Sequence, residues 1–166
     1  MNAIEMSIKM ETDAINFYKE AAGRTSHSVG KKMFLSIIED EKRHVKMLDD
    51  LFRGLDLTLE EVSPMTNMKT VFEELRGEMM QRVTATTDEL EVLRIAMNME
   101  KEGTEFYRKA LTEAKAGKEK KLFEKLVREE EQHFAIFENT YSFLSDTGNW
   151  FMWEEHSIVD GGTPWA

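Results

Sequence analysis

Residues 10–44 and 99–133 repeat each other at a constant offset of 89 positions. Met10-Glu11 corresponds to Met99-Glu100, Phe17-Tyr18 to Phe106-Tyr107 and Phe34 to Phe123. Glu41-x-x-His44 corresponds in the same way to Glu130-x-x-His133. A chain built of two matching stretches is constrained to fold as two similar units. Within each stretch the apolar residues recur at steps of three and four, the spacing of one helix face. Four seams result: Ile4, Ile8, Glu11, Ile15, Tyr18, Ala22; Phe34, Ile37, Glu41, His44, Leu48, Leu51; Leu93, Ala96, Glu100, Gly103, Tyr107, Ala110; and Phe123, Leu126, Glu130, His133, Phe137, Thr140, Leu144. Glu11, Glu41, His44, Glu100, Glu130 and His133 thus occupy positions that core packing would fill with Leu or Ile.

End signals set the helix limits. The first helix is predicted over 3–22, with Asn2 and Glu5 as a capping-box start and Gly23 as its stop. The second runs over 29–52, between Ser28 as cap and Gly54. The third begins near Thr87 or Asp88 and ends before Gly117. The fourth covers 118–144, and helix is not expected past Gly148. Between the pairs, residues 55–85 form a crossover in which Ser63-Pro64 reads as a break and 68–80 as a short extra helix. Two helix hairpins joined by one long connection make an all-α, ferritin-like four-helix bundle with the crossover between helices 2 and 3. Residues 1–145 are expected to form this bundle. Residues 146–166 are expected to be a tail whose Trp150, Phe151, Trp153 and Trp165 pack on the bundle or on a partner subunit, since so many aromatics are not left in water. His156 beside Glu154 and Glu155 reads as a solvated loop.

Composition narrows the function. The chain has no cysteine, which removes disulfides, zinc ribbons and thiolate-held iron. Redox electrons would therefore come from an external donor protein. A net charge of −10 argues against nucleic acid as a partner. No stretch approaches the about 18 apolar residues that a membrane span needs. The amino-terminal residues carry Glu5 and Lys9 and do not read as a secretory leader, so a cytoplasmic location is expected.

The six seam residues carry the chemistry. Positions three apart share a helix face, so each Glu-x-x-His pair points at one spot. A buried, unpaired carboxylate costs several kcal/mol or takes up a proton, and four together repel one another. Two divalent cations balance four glutamates, and oxygen and imidazole donors suit iron or manganese, with zinc also able to bind. One Glu from each of two helices and Glu-x-x-His from each of the other two is the donor set of ferritin-like two-metal carboxylate bundles. Tyr18 and Tyr107 follow Glu11 and Glu100 by seven residues on the same seams. Each hydroxyl either orients a ligand carboxylate on another helix or simply packs in the core. Glu39, Asp40, Glu102, Glu105, Glu129 and Glu131 fall off the seams and are expected in solvent. The methionines read as core filler.

At these residues the chain resembles the rubrerythrin group of ferritin-like di-iron proteins over about 3–144. The resemblance implies Glu11, Glu41, His44, Glu100, Glu130 and His133 as ligands of two iron ions. It also implies reduction of hydrogen peroxide, often by a homodimer. Two departures stand out. Such proteins typically carry a cysteine-rich rubredoxin domain, where this chain has a Trp-rich tail. They also carry a further glutamate three residues after the third-helix ligand, where this chain has Gly103. The leading expectation is a di-iron oxidoreductase that reduces peroxide or dioxygen. The alternatives are an iron-binding or storage protein without redox turnover, and a structural bundle that uses its aromatic tail as an interaction module.

Overall fold

The computed structural model describes residues 1–59, 62–79 and 83–150. Its helices are α1 (Ala3–Arg24), α2 (Ser28–Phe52), α3 (Pro64–Glu74), α4 (Arg76–Met79), α5 (Thr87–Glu113) and α6 (Gly117–Thr147). α1 pairs with α2, and α5 with α6. The two hairpins are joined through the crossover that carries α3 and α4. This is the ferritin-like bundle, and no helix among the described residues is long and apolar enough to cross a membrane.

Local chemistry sets the ends. The Asn2 side chain accepts from the Glu5 amide at 2.8 Å, and the Glu5 carboxylate accepts from the Asn2 amide at 3.3 Å. Thr86 and Glu89 make the same capping box at the start of α5. Gly54 and Gly148 take left-handed φ values of 71° and 73°, which a side chain would resist, and close α2 and α6. α6 therefore continues three residues past the expected Leu144.

Three boundary expectations need correction. Gly23 lies inside α1 rather than stopping it, because Thr25 closes the helix by donating its hydroxyl to the Ala21 carbonyl at 2.7 Å. The cap of α2 is His27, whose Nδ1 accepts from the Val29 amide at 3.1 Å, and Ser28 is already helical. Pro64 opens α3 instead of breaking the chain, since its missing N–H falls where a helix has no use for one. Ser63 caps that helix, and Met68 and Phe72 of α3 are buried. The Ser63 hydroxyl and the Met65 amide both donate to Gln132 of α6 at 3.1 Å, which ties the crossover to the bundle.

Two apolar clusters flank a polar layer. Tyr18, Phe34, Ile37, Leu93 and Phe137 belong to one, and Leu48, Tyr107, Phe123 and Leu126 to the other. Along α2 the sequence of environments is apolar at Phe34 and Ile37, polar at Glu41 and His44, and apolar again at Leu48. The repeat survives in three dimensions: Tyr18 packs on Phe34 with ring centroids 6.2 Å apart and planes at 30°, and Tyr107 packs on Phe123 at 5.9 Å and 31°.

After α6 the chain packs back on the bundle at Trp150, which is fully buried. Its amide donates to the Val83 carbonyl at 2.6 Å, and its indole N–H donates to Glu89 at 3.0 Å. Gly30 makes room for the ring: a Cβ there would lie 2.7 Å from the indole. Phe151, Trp153, Trp165, Glu154, Glu155 and His156 lie outside the described residues.

Candidate metal centre

Glu11 comes from α1, Glu41 and His44 from α2, Glu100 from α5, and Glu130 and His133 from α6. All six are buried, none more than 4% exposed. They form two groups of possible ligand atoms, each lying within 4.8 Å of one another: Glu11, Glu41, His44 and Glu130 in one, and Glu41, Glu100, Glu130 and His133 in the other. Glu41 and Glu130 belong to both. The rings of His44 and His133 stack with centroids 5.9 Å apart. His44 Nδ1 lies 3.2–3.4 Å from carboxylate oxygens of Glu11, Glu41 and Glu130. His133 Nδ1 lies 2.8 Å from Glu41 and 3.6 Å from Glu100.

These approaches are not aligned as hydrogen bonds. Both carboxylate oxygens of Glu41, one each of Glu100 and Glu130, and Nδ1 of both histidines are buried without a hydrogen-bond partner among the described residues. Buried polar groups are nearly always satisfied, so six orphaned atoms converging on two points call for a binding species. Two divalent cations meet both the charge and the donor type.

The outward faces of these residues are held firmly. Tyr18 donates to Glu100 at 2.6 Å, and Tyr107 donates to Glu11 at 2.5 Å. Burial, then the charge of Glu100, pushes the Tyr18 hydroxyl well above its ordinary range; burial and Glu130 do the same to Tyr107. Both therefore remain donors. Nε2 of His44 lies 3.0 Å from Glu129, and Nε2 of His133 lies 2.9 Å from Asp40. With Nδ1 turned toward the carboxylates, we assign the Nε2 proton to these outer bonds.

Asp40 and Glu129 correct the sequence reading, which places them in solvent. They are 4% and 2% exposed. Each precedes a seam glutamate by one residue, about 100° around the helix, and in the folded bundle α2 and α6 turn these flanks toward each other. Glu39, Glu102, Glu105 and Glu131 are exposed as expected. Arg43, which the sequence reading passed over, donates to Glu129 at 2.6 and 3.1 Å and to Asp40 at 3.1 Å. Buried Lys125 lies 3.2 Å from Glu129. The shared offset of 89 was the signal for Asp40 and Glu129; Arg43 has none, because its counterpart is Gln132.

Without cations, protons do part of their work. Burial alone would lower both histidines, but the Glu129 bond and the nearby Glu130 and Glu41 raise His44 well above its ordinary value. The charges of Glu100 and Glu41 and the Asp40 bond raise His133. Against the cost of burial, His133 and His44 hold Glu41 down to about 2. Burial and the charges of Glu100 and Glu41 push Glu130 well up.

Fold and centre together define a two-metal carboxylate helical bundle. The chain belongs to the Rubrerythrin family, whose family model matches residues 2–141. This is a family of di-iron carboxylate proteins. Searches of curated proteins and of solved structures gave no significant match.

Proposed function

We propose that the chain is a di-iron oxidoreductase that reduces hydrogen peroxide or dioxygen with electrons from an external donor protein, and that it works as a homodimer. The observation that carries this reading is the pair of four-residue groups sharing Glu41 and Glu130, with six buried donor atoms left without hydrogen bonds. Glu11 and His44 would hold one ion, Glu100 and His133 the other, and Glu41 and Glu130 both. Two ferrous ions so held would supply the two electrons that, with two protons, convert a peroxide to two molecules of water.

The protein's own part is orientation and proton placement. Tyr18 and Tyr107 fix the Glu100 and Glu11 carboxylates. Asp40 and Glu129 hold the imidazole protons on Nε2, so that Nδ1 presents its lone pair. Arg43 and Lys125 neutralise those outer carboxylates, and the inner four keep the charge that balances two dications. The absence of cysteine is consistent with a separate electron donor.

Loading with Fe(II) without oxygen, followed by a pulse of peroxide, tests the reading. Two irons per chain and stoichiometric peroxide consumption are expected. Iron bound without peroxide loss would leave an iron-binding protein. Iron storage is the second reading, favoured by the acidic Asp13 and Glu102 that line the opening leading to the centre. A large shell holding many irons per chain would support storage, and a dimer holding two per chain the enzyme.

A further inference from the structure

A cavity of about 130 Å³ lies between α1 and α5 and reaches the centre from one side. Glu11, Glu100 and Glu130 line its inner end. Ala14, Met10 and Met99 supply apolar wall, and Gly103 leaves part of the wall without a side chain. Met10 and Met99 stand at equivalent positions of the repeat, each next to a proposed ligand. The space is larger than peroxide needs: one water takes about 30 Å³ of the liquid, and a dry apolar cavity of about 150 Å³ accepts a benzene ring.

Gly103 decides how much of this volume exists. A Cβ placed there would meet Glu130 Oε2 at 3.5 Å and the Met10 methyl at 3.9 Å, ordinary contact distances. A methyl group therefore fits, but a longer side chain would occupy the cavity itself. Backbone strain does not demand this glycine, since among the described residues only Gly54 and Gly148 have positive φ. In mid-helix it costs about 1 kcal/mol relative to alanine. Space is what the residue provides.

We infer that this cavity binds the alkyl group of a small, neutral organic hydroperoxide, and that Gly103 is the residue that admits it. The inference rests on the proposed redox function. The hydroperoxide end faces Glu11, Glu100 and Glu130, and the alkyl group lies against Met10, Met99, Ala14 and Gly103. Reduction breaks the O–O bond with two electrons and two protons and gives an alcohol and water. The electrons are those of the two ferrous ions, replaced by the external donor. Asp13 and Glu102 at the cavity disfavour anionic peroxides, although Lys9 pairs with Asp13 at 2.8 Å.

The test uses the full chain loaded with two Mn(II) ions and tert-butanol, the product of tert-butyl hydroperoxide reduction, as the probe. Paramagnetic relaxation of its methyl protons reports residence beside the ions, independently of turnover. Relaxation by the wild-type protein, its loss in Gly103→Leu and its retention in Gly103→Ala are expected, with two Mn(II) bound in each. In the iron-loaded protein, preference for tert-butyl hydroperoxide over hydrogen peroxide should fall about tenfold or more in Gly103→Leu, as pocket-filling changes typically do. Two bound ions with no relaxation by the wild-type protein, or with relaxation and preference unchanged in Gly103→Leu, would overturn the inference and leave the functional reading standing. Failure to bind two ions would sink the functional reading, and this inference with it.

Discussion

The Tyr18 hydroxyl on α1 donates to the Glu100 carboxylate on α5 at 2.6 Å, from one hairpin to the other. Tyr107 on α5 returns the contact to Glu11 on α1. Each proposed carboxylate ligand that belongs to one group alone is thus held by a tyrosine of the opposite hairpin. Tyr18→Phe keeps the ring packed on Phe34 and Phe137 but leaves Glu100 without its donor. Metal affinity should fall about tenfold or more, with helicity unchanged, as read by Mn(II) titration and circular dichroism.

The shared and unshared carboxylates should behave differently. Glu41 serves both groups and Glu11 only one. Glu11→Gln is expected to retain one tightly bound ion per chain, and Glu41→Gln to retain neither. Metal analysis after desalting distinguishes the two outcomes; equal losses would contradict the shared role of Glu41.

Protons and metal ions should compete. Without metal, His44 and His133 sit well above their ordinary range, so both imidazoles are charged near neutral pH. Their contribution to the stability of the metal-free fold is full below the unfolded value and is lost as pH rises through the folded one. A metal at Nδ1 takes the proton's place. Binding should release protons, and affinity should drop as pH falls. Calorimetric titration in buffers of different ionisation enthalpy measures the release, and no release would mean that the imidazoles are not ligands.

Among the described residues, Arg43 is the one cation that touches both outer carboxylates. Its removal leaves Asp40 with His133 alone and Glu129 with Lys125 and His44. Breaking a fully buried pair costs about 3–5 kcal/mol, and Arg43 keeps 16% of its side chain exposed. Arg43→Met should therefore destabilise the metal-free protein by less than that range, about 2–3 kcal/mol. Urea unfolding gives the value.

The Glu89 carboxylate gathers four donors: the Ser26 amide and hydroxyl, the Thr86 amide and the Trp150 indole. Against the cost of burial these bonds hold Glu89 below its ordinary value. Its contribution is therefore present above the unfolded value and lost as pH falls through the folded one. Glu89→Gln should cost about 1–3 kcal/mol and flatten that acid dependence, with thermal melts across pH as the measurement.

The six inward donors are legible in the sequence because each breaks an apolar seam and each has a counterpart 89 residues away. The bundle is legible for the same reason: four seams of sustained helical period leave few other ways to bury them. Asp40 and Glu129 escape a reading made one helix at a time. Only the packing of α2 on α6 turns their flank inward, and only then does Arg43 find two carboxylates to join. Gly23 misleads because an exposed glycine late in a helix resembles a stop, while the actual end depends on the Thr25 hydroxyl reaching back one turn. The sequence shows that Trp150 will not stay in water, but its site against Gly30 and Glu89 is a tertiary matter that no local pattern records.

Each ion position draws three of its residues from one hairpin and the fourth from the other: Glu130 completes the set of Glu11, Glu41 and His44, and Glu41 completes the set of Glu100, Glu130 and His133. Neither half of the chain can therefore close a position alone. Ions held there would act as a fastener across the seam between halves, rewarding only the arrangement that brings distant parts of the chain together. Demetallation should loosen the joint between the hairpins before it loosens either hairpin.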